Sequence, residues 1–489
     1  MEVKMATQAD SRAPGAAQRR AVLLYAAVTA VVLLLLMVFG LLLRFSQSGD
    51  LPLPADRFYQ LMTAHGIGMV AIAGLGSAAV MWFFLGRHVA LSTGIFVANL
   101  VIFLAGVVLV LGGIFLGGFA GAWTFLHPLP SKSMGVWPNG AAASYLLGVL
   151  VVGTGFLLLF LDIARAILTR YGSFAASLGW PQLFRGDSSE PPPPTVVVAT
   201  VVTAINLLSI LVGAVILVVM VVDLYLPGLG LDALLAKNLI FFFGHVFINS
   251  TIYMAVIALY EILPRYTGRP WKSSRPFLAA WTASLLMVLA VYPHHLLMDF
   301  AMPTWAAVMG QILSYASSLP VLAITTIAAL ANVHRSGIRW DLASGLLFLS
   351  VFGWAAGIVP AVIDGTIAVN RVMHNTLWVP GHFHFYLLLG LAAMLLGFMC
   401  WLSSAEGRAR DGALDRLAFW AYGIGGIGFV LVFLYCGRQS VPRRFAEHFP
   451  EWMPYDRLGA LFAALVVLAT AVFVVRFLTR LRATASGGA

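Results

Sequence analysis

The 489-residue sequence predicts an all-α integral membrane protein of twelve transmembrane helices. Three observations carry that expectation. Hydrophobic residues make up 61% of the chain and charged residues only 10%, where a soluble domain carries about 25% charged. The mean hydropathy of +0.93 leaves too little polar surface to coat a water-soluble globule of this size. The apolar residues also run continuously for the roughly 20 positions a helix needs to cross a bilayer, not in the alternating ten-residue segments of a β-barrel. A net charge of +10 would suit nucleic acid, but the basic residues sit between the apolar runs and form no patch.

The runs fall at about 21–43, 58–85, 94–118, 142–168, 196–222, 238–262, 277–298, 304–332, 341–363, 377–402, 416–437 and 458–480. Residues 1–20 read as a polar, basic cytoplasmic tail. The first apolar run is too long for a signal-peptide core and shows no small-residue cleavage site, so it reads as a retained anchor. Residues 21–482 form one membrane domain, and 483–489 a short C-terminal tail. Within the domain, 182–195 carries Arg185, Asp187, Glu190 and the prolines Pro191 to Pro194. Proline cannot continue a helix, so this stretch reads as a polar cytoplasmic loop between helices four and five.

Lys and Arg placement sets the orientation. With a cytoplasmic N-terminus, twenty of the 29 basic residues fall in inner segments and nine in outer ones, which predicts both termini inside. The two cysteines, Cys400 and Cys436, then lie near opposite membrane faces, too far apart for a disulfide.

Eleven histidines occur, and an imidazole inside a membrane helix is expensive unless it has a partner. On helix six, Phe243-Gly244-His245-Val246-Phe247-Ile248-Asn249 places His245 and Asn249 on one face. On helix seven His294 and His295 are adjacent. Neighbours on a regular helix diverge by about 100°, so both reach one ion only if the backbone is irregular, and Pro293 supplies an irregularity. Three imidazoles from two neighbouring helices suit copper or iron.

Helix ten opens with His374-Asn375-Thr376-Leu377-Trp378-Val379-Pro380-Gly381-His382-Phe383-His384. His382 and His384 point about 200° apart, which suits two cofactors on opposite faces. Helix two adds His65 in Thr63-Ala64-His65-Gly66, where Gly66 and Gly68 leave room for a flat macrocycle. His65, His382 and His384 all lie within about two turns of an outer helix end and so share a depth. His88, His127, His334 and His448 fall in loops and read as solvated.

These motifs, in this order, resemble those of heme–copper oxidase catalytic subunits, and His374-Asn375-Thr376 before the Val379–His384 run is similar to the B-type branch. Twelve helices is that family's core, so the resemblance covers nearly the whole chain. It implies a subunit I-like bundle in a bacterial or archaeal plasma membrane. It also implies two hemes and one non-heme metal: His65 and His384 as axial ligands of a low-spin heme, His382 on a high-spin heme, and His245, His294 and His295 on copper or iron. Val441-Pro442-Arg443-Arg444 resembles the family's heme-propionate clamp, and guanidiniums suit carboxylates. His374 is expected to be a further propionate contact.

One position departs from the family pattern. B-type oxygen reductases carry, four residues after the first non-heme-metal histidine, a tyrosine joined to it that yields an electron and a proton. Better-known nitric oxide reductases carry glutamate there. This chain has Asn249, and Tyr253 lies about 12 Å beyond His245 along the helix. Reducing two NO to N2O and water takes two electrons and two protons and needs no side-chain radical. The expectation is therefore a nitric oxide reductase, with a proton-translocating cytochrome c or quinol oxidase as the alternative. The B-type proton path uses hydroxyls on helix eight just beyond a proline; here the residues following Pro320 include Val321, Ile324 and Ile327, which predicts little or no pumping, while Thr325, Thr326, Ser314, Tyr315, Ser317 and Ser318 remain and Tyr260 and Glu261 offer an entry.

No Cys-x-x-Cys-His run or copper-binding cysteine pair occurs, so electrons are expected from a small second subunit or a soluble cytochrome c or cupredoxin-like donor. A twelve-helix transporter would show broken helices with midplane carboxylates, whereas Asp223, Asp299 and Asp364 lie near outer helix ends. A heme-bearing assembly subunit would have little use for His245, His294 and His295.

Overall fold

The computed structural model describes residues 15–122, 126–404 and 411–486. The predicted tail as far as residue 14, residues 487–489, and Lys4, Arg12, Arg408 and Arg410 lie outside the described residues. Among the described residues, twelve helices are long and apolar enough to cross a membrane: α1 Ala16–Gln47, α2 Ala55–Leu85, α3 Thr93–Leu116, α4 Asn139–Tyr171, α5 Pro194–Tyr225, α6 Ala233–Thr267, α7 Arg275–Leu296, α8 Thr304–Val333, α9 Leu342–Asp364, α10 Trp378–Ser403, α11 Ala413–Arg438 and α12 Met453–Ser486. Every predicted span is present. The chain is a multi-pass integral membrane protein.

The expected tail, domain end and polar loop shift in the structure. The first helix begins at Ala16, inside the predicted tail, and the last continues to Ser486, past the predicted end at 482. The predicted 182–195 loop overlaps a short helix at Trp180–Phe184 and gives way to α5 at Pro194. Proline at a helix start loses nothing, because that N–H has no intrahelical acceptor.

Sequential helices pack as neighbours (α1 on α2, α3 on α4, α5 on α6, α9 on α10, α11 on α12), and α1 also meets α12, which closes the bundle. Burial ranks the helices. The most apolar stretch of α10 is 83% buried, against 33% for α3, so α10 is central and α3 peripheral. Small residues permit the close approaches. A Cβ on Gly106 would stand 2.6 Å from the Gly148 carbonyl oxygen, and one on Gly148 would stand 2.7 Å from that of Gly106.

Three helices are locally irregular where the histidines cluster. The last turn of α7, Tyr292–Leu296, is a 3-10 helix containing Pro293, as the adjacent histidines require. α10 passes into a π-helix at Phe385–Ala392, directly after His384, and such segments often mark functional sites. α8 is interrupted between Ala316 and Leu319.

At the end of the bundle opposite the termini, α1 and α12 are joined by a buried ion pair. Arg44 donates to Asp456 Oδ1 and, at 2.6 Å, to Gln47. The other oxygen of Asp456 accepts from His448 Nδ1 at 2.7 Å. His448 is therefore buried and paired, not solvated, because the loop before α12 folds back over the bundle end. His127 is also buried, and burial lowers its pKa. His88 is half-buried with Nε2 3.8 Å from Glu261, while His334 is exposed as expected. Arg44 and Asp456 side chains are only 4% and 0% exposed, so removing one partner strands a buried charge. Asp456→Asn is expected to cost about 3–5 kcal/mol, read as a large fall in thermal midpoint in detergent. A shift within error would show the pair to be dispensable.

Candidate metal centre

Neutral imidazole offers one lone pair and one N–H, and inside a bilayer both need a use. All the predicted site residues line one cavity of about 730 Å3: His65, His245, Asn249, His294, His295, His374, His382, His384, Arg443 and Arg444. The histidines expected to converge thus share one cavity.

The first group is a trio. His245, His294 and His295 present ligand atoms that all lie within 4.8 Å of one another. His245 Nδ1 stands 3.0 Å from His295 Nε2. Two nitrogens each about 2 Å from a shared ion, at angles near tetrahedral, stand roughly 3 Å apart. One pair of the trio thus already stands at ligand spacing, and with all three ligand atoms within 4.8 Å a small side-chain shift would bring them onto one metal ion. Its backbone is held from two sides. Lys237, Phe241, His245 and Asn249 recur every fourth residue on α6, so they share a face. Phe241 stacks on the His295 ring at 4.9 Å, and Lys237 pairs with Asp299, which follows His295 by four residues.

The second group is a facing pair. The His65 and His384 ring centroids are 6.5 Å apart with planes 13° from parallel. His65 Nδ1 donates to the Leu36 carbonyl at 2.7 Å, and His384 Nδ1 to the Pro380 carbonyl at 2.7 Å. Both N–H groups are thus spent on backbone, and both Nε2 lone pairs are left for a metal. A ring ligating through Nε2 has its centroid roughly 3 Å from the metal, so two rings gripping one iron stand about 6 Å apart. The observed separation fits. Phe429 and Phe433 meet the His384 ring edge-on at 5.3 and 5.6 Å.

His382 faces away from this pair, as its two-residue offset requires. Its Nδ1 lies 3.4 Å from Asp364 Oδ2 at the end of α9. Space beside these rings is kept by glycine. Gly244 lines the cavity, and a Cβ there would meet nothing within 4 Å. Gly66 also lines it, but Gly68 does not: a Cβ there would meet Leu36 at 2.8 Å. The predicted role of Gly68 is corrected accordingly; it lets α1 approach so that the Leu36 carbonyl can reach His65.

Arg443 and Arg444 are brought in by a short antiparallel bridge between Thr376 and Pro442. Leu377 N–H donates to the Val441 carbonyl at 2.9 Å and Arg443 N–H to that of Asn375 at 2.9 Å. Burial, with Arg444 alongside, pushes the Arg443 guanidinium down to about 9, against the pull of Asp364. Burial and the same two cations push the His374 imidazole down to about 4, so it is neutral near pH 7. Arg443 Nε has no hydrogen-bond partner among the described residues. Two half-buried guanidiniums at the cavity wall suit carboxylates, which heme propionates would supply.

Sequence reading missed Asp364, the Lys237–Asp299 pair and Gly40. A lone aspartate at a helix end carries no signal of its own, and a pair 62 residues apart is invisible without the fold. Gly40 is needed because a Cβ there would stand 2.7 Å from the His65 ring. Gly40→Leu is therefore expected to displace His65 and abolish the bis-histidine heme spectrum while carbon monoxide still binds the remaining heme. An unchanged low-spin α-band would refute that placement of His65.

Comparison with known proteins agrees with this geometry. Residues 20–475 match the family model described as cytochrome c and quinol oxidase polypeptide I. The "Heme-copper oxidase subunit I+III" of Aeropyrum pernix is 26% identical over 50% of this chain and 30% of its own length. "Cytochrome c oxidase subunit 1" of Thermus thermophilus is 25% identical over 51% of this chain and 48% of its own. "Cytochrome c oxidase polypeptide 1" of Halobacterium salinarum is 24% identical over 77% of this chain and 62% of its own. The chain thus spans less than two thirds of each of these relatives. A solved heme-copper terminal oxidase dimer shares the fold, with a TM-score of 0.79 at 19% identity over 95% of this chain and 84% of that one. The chain belongs to the cytochrome c and quinol oxidase polypeptide I family.

Proposed function

We propose that this subunit reduces nitric oxide to nitrous oxide: 2 NO + 2 e− + 2 H+ give N2O + H2O. Its hemes and non-heme metal would supply the two electrons and the sites that hold two NO. One observation carries the reading. Asn249, not a phenol, fills the place beside the trio, with its amide 2.6 Å from His245 Nε2. No side chain there can yield a hydrogen atom, which a two-electron reaction does not require and a four-electron O2 burst does.

Proton bookkeeping assigns Asn249 a task. His245 turns Nδ1 toward His295, so metal binding at Nδ1 leaves the ring proton on Nε2. The amide must then present its oxygen to that N–H, an orientation set by the network. Asn249 would fix the tautomer and tilt of a ligand, as partners of metal-bound histidines do. Arg443 and Arg444 would hold propionates, with His374 a neutral neighbour.

Oxygen reduction is the second reading, and Tyr386 favours it. That phenol lines the cavity one turn after His382, with ring centroids 6.4 Å apart. Two of the three relatives named above also carry the name cytochrome c oxidase. Anaerobic NO consumption and O2 uptake, measured on one preparation, separate the two. NO turnover with stoichiometric N2O, exceeding O2 uptake, is expected. Rapid O2 uptake with negligible N2O would reverse the assignment. Asn249→Leu, which cannot accept from His245, is expected to lower NO turnover about 10–100-fold.

The route from the end bearing the termini, read as cytoplasmic, is interrupted. Tyr260 and Thr325 share a 2.7 Å hydrogen bond, and Glu261 accepts from Thr195 at 2.5 Å. Val321, fully buried, and Ile324 offer no hydroxyl beyond them. We read the enzyme as non-pumping. Proteoliposomes given NO should release no protons outward, and vectorial release would overturn this.

A further inference from the structure

We propose that Asp364 is a positioning residue for the high-spin heme: it accepts the Nδ1–H of His382 and makes that ligand a strong, anionic-leaning donor. The inference rests on assigning His382 to that heme and is independent of whether NO or O2 is the substrate.

The three heme-facing histidines differ in what receives their second nitrogen. His65 and His384 each donate Nδ1–H to a backbone carbonyl at 2.7 Å. His382 has no such carbonyl. Its Nδ1 is buried and without a hydrogen-bond partner among the described residues. The nearest acceptor is Asp364 Oδ2 at 3.4 Å, a few tenths of an ångström beyond a formed hydrogen bond. A buried imidazole N–H left unpaired is costly, and a histidine that binds metal through one nitrogen almost always donates from the other. A small tilt of the ring, of the size that drawing Nε2 onto iron would impose, closes the gap.

Asp364 is built for that role. It ends α9, its side chain is 10% exposed, and it lines the cavity. Asn370 donates to its backbone carbonyl at 2.7 Å and to Oδ1 at 3.3 Å. One carboxylate oxygen is therefore occupied and the other is left toward His382. Accepting from a ligating imidazole, a carboxylate draws the proton and raises ligand basicity, which stabilises ferric over ferrous iron. A backbone carbonyl does so much less. The two hemes would thus sit on ligands of different donor strength, with the lower potential at the substrate side.

The test uses the full-length, heme-loaded protein. In Asp364→Asn, the Fe–His stretching band of the ferrous five-coordinate heme should fall in frequency and that heme's midpoint potential should rise. The low-spin heme's band and potential should stay unchanged, which also reports an intact fold. Asp364→Glu should restore both observables toward wild type. Asn370→Leu strips the competing donor from Oδ1 and should move both the opposite way, giving a second reading if Asp364→Asn assembles poorly. Wild-type values in both variants would overturn the proposal, as would a potential that rises without any change in the Fe–His band, since that is charge without a hydrogen bond. His382→Gly tests the assignment separately. Retention of the five-coordinate, CO-binding spectrum in it would show that His382 is not the ligand.

Discussion

An imidazole in a membrane interior must spend both of its nitrogens, and the rest of this structure is arranged around that constraint. One nitrogen is turned toward the cavity. The other needs an acceptor or donor within the protein, because no solvent can serve it. The Leu36 and Pro380 carbonyls, the Asn249 amide and the Asp364 carboxylate stand behind His65, His384, His245 and His382 respectively. The chemical character of each partner then grades the ligand, from neutral carbonyl to carboxylate.

The backbone bends to meet the same demand. A regular helix cannot aim His294 and His295 at one point, and the 3-10 turn around Pro293 lets both rings approach His245. Straight helix suffices for His382 and His384, which serve opposite faces, and the π-helix begins only after them. Bridges between elements hold these local choices. The Lys237–Asp299 pair ties α6 to the turn bearing two of the trio, and the Thr376–Pro442 bridge brings two arginines to the histidine-bearing start of α10. Ligand geometry here is a property of paired elements, not of single helices.

In the proposed nitric oxide reading, Asn249 and Asp364 together would separate this chain from a generic oxygen-reducing design. A phenol beside the trio would offer an electron and a proton during O–O cleavage. An amide offers neither, and serves instead to orient its histidine. A carboxylate behind His382 would favour ferric iron, which suits a centre that is not required to deliver four electrons at once. Tyr386, in the same cavity, is the feature that keeps oxygen chemistry within view.

Much of this was legible before any coordinates. Twelve runs of bilayer length set the class, because apolar length is a one-dimensional property that the hydrocarbon core reads directly. The six candidate ligand histidines, all lining the cavity, were legible from helical period, adjacency and shared depth, and the arginine pair from the family resemblance. Solvent exposure of His127 and His448 was misjudged, since loops that fold back over the bundle bury residues that their sequence surroundings leave polar. Gly68 was placed on the wrong neighbour for a related reason: a glycine shows that something comes close but not what. The sequence by itself determined the spans, the inventory of candidate ligands and the asparagine at 249. Only the tertiary structure decided which atom stands behind each imidazole, because hydrogen-bond partners such as Leu36 and Asp364 come from other helices and only packing at ångström scale selects them.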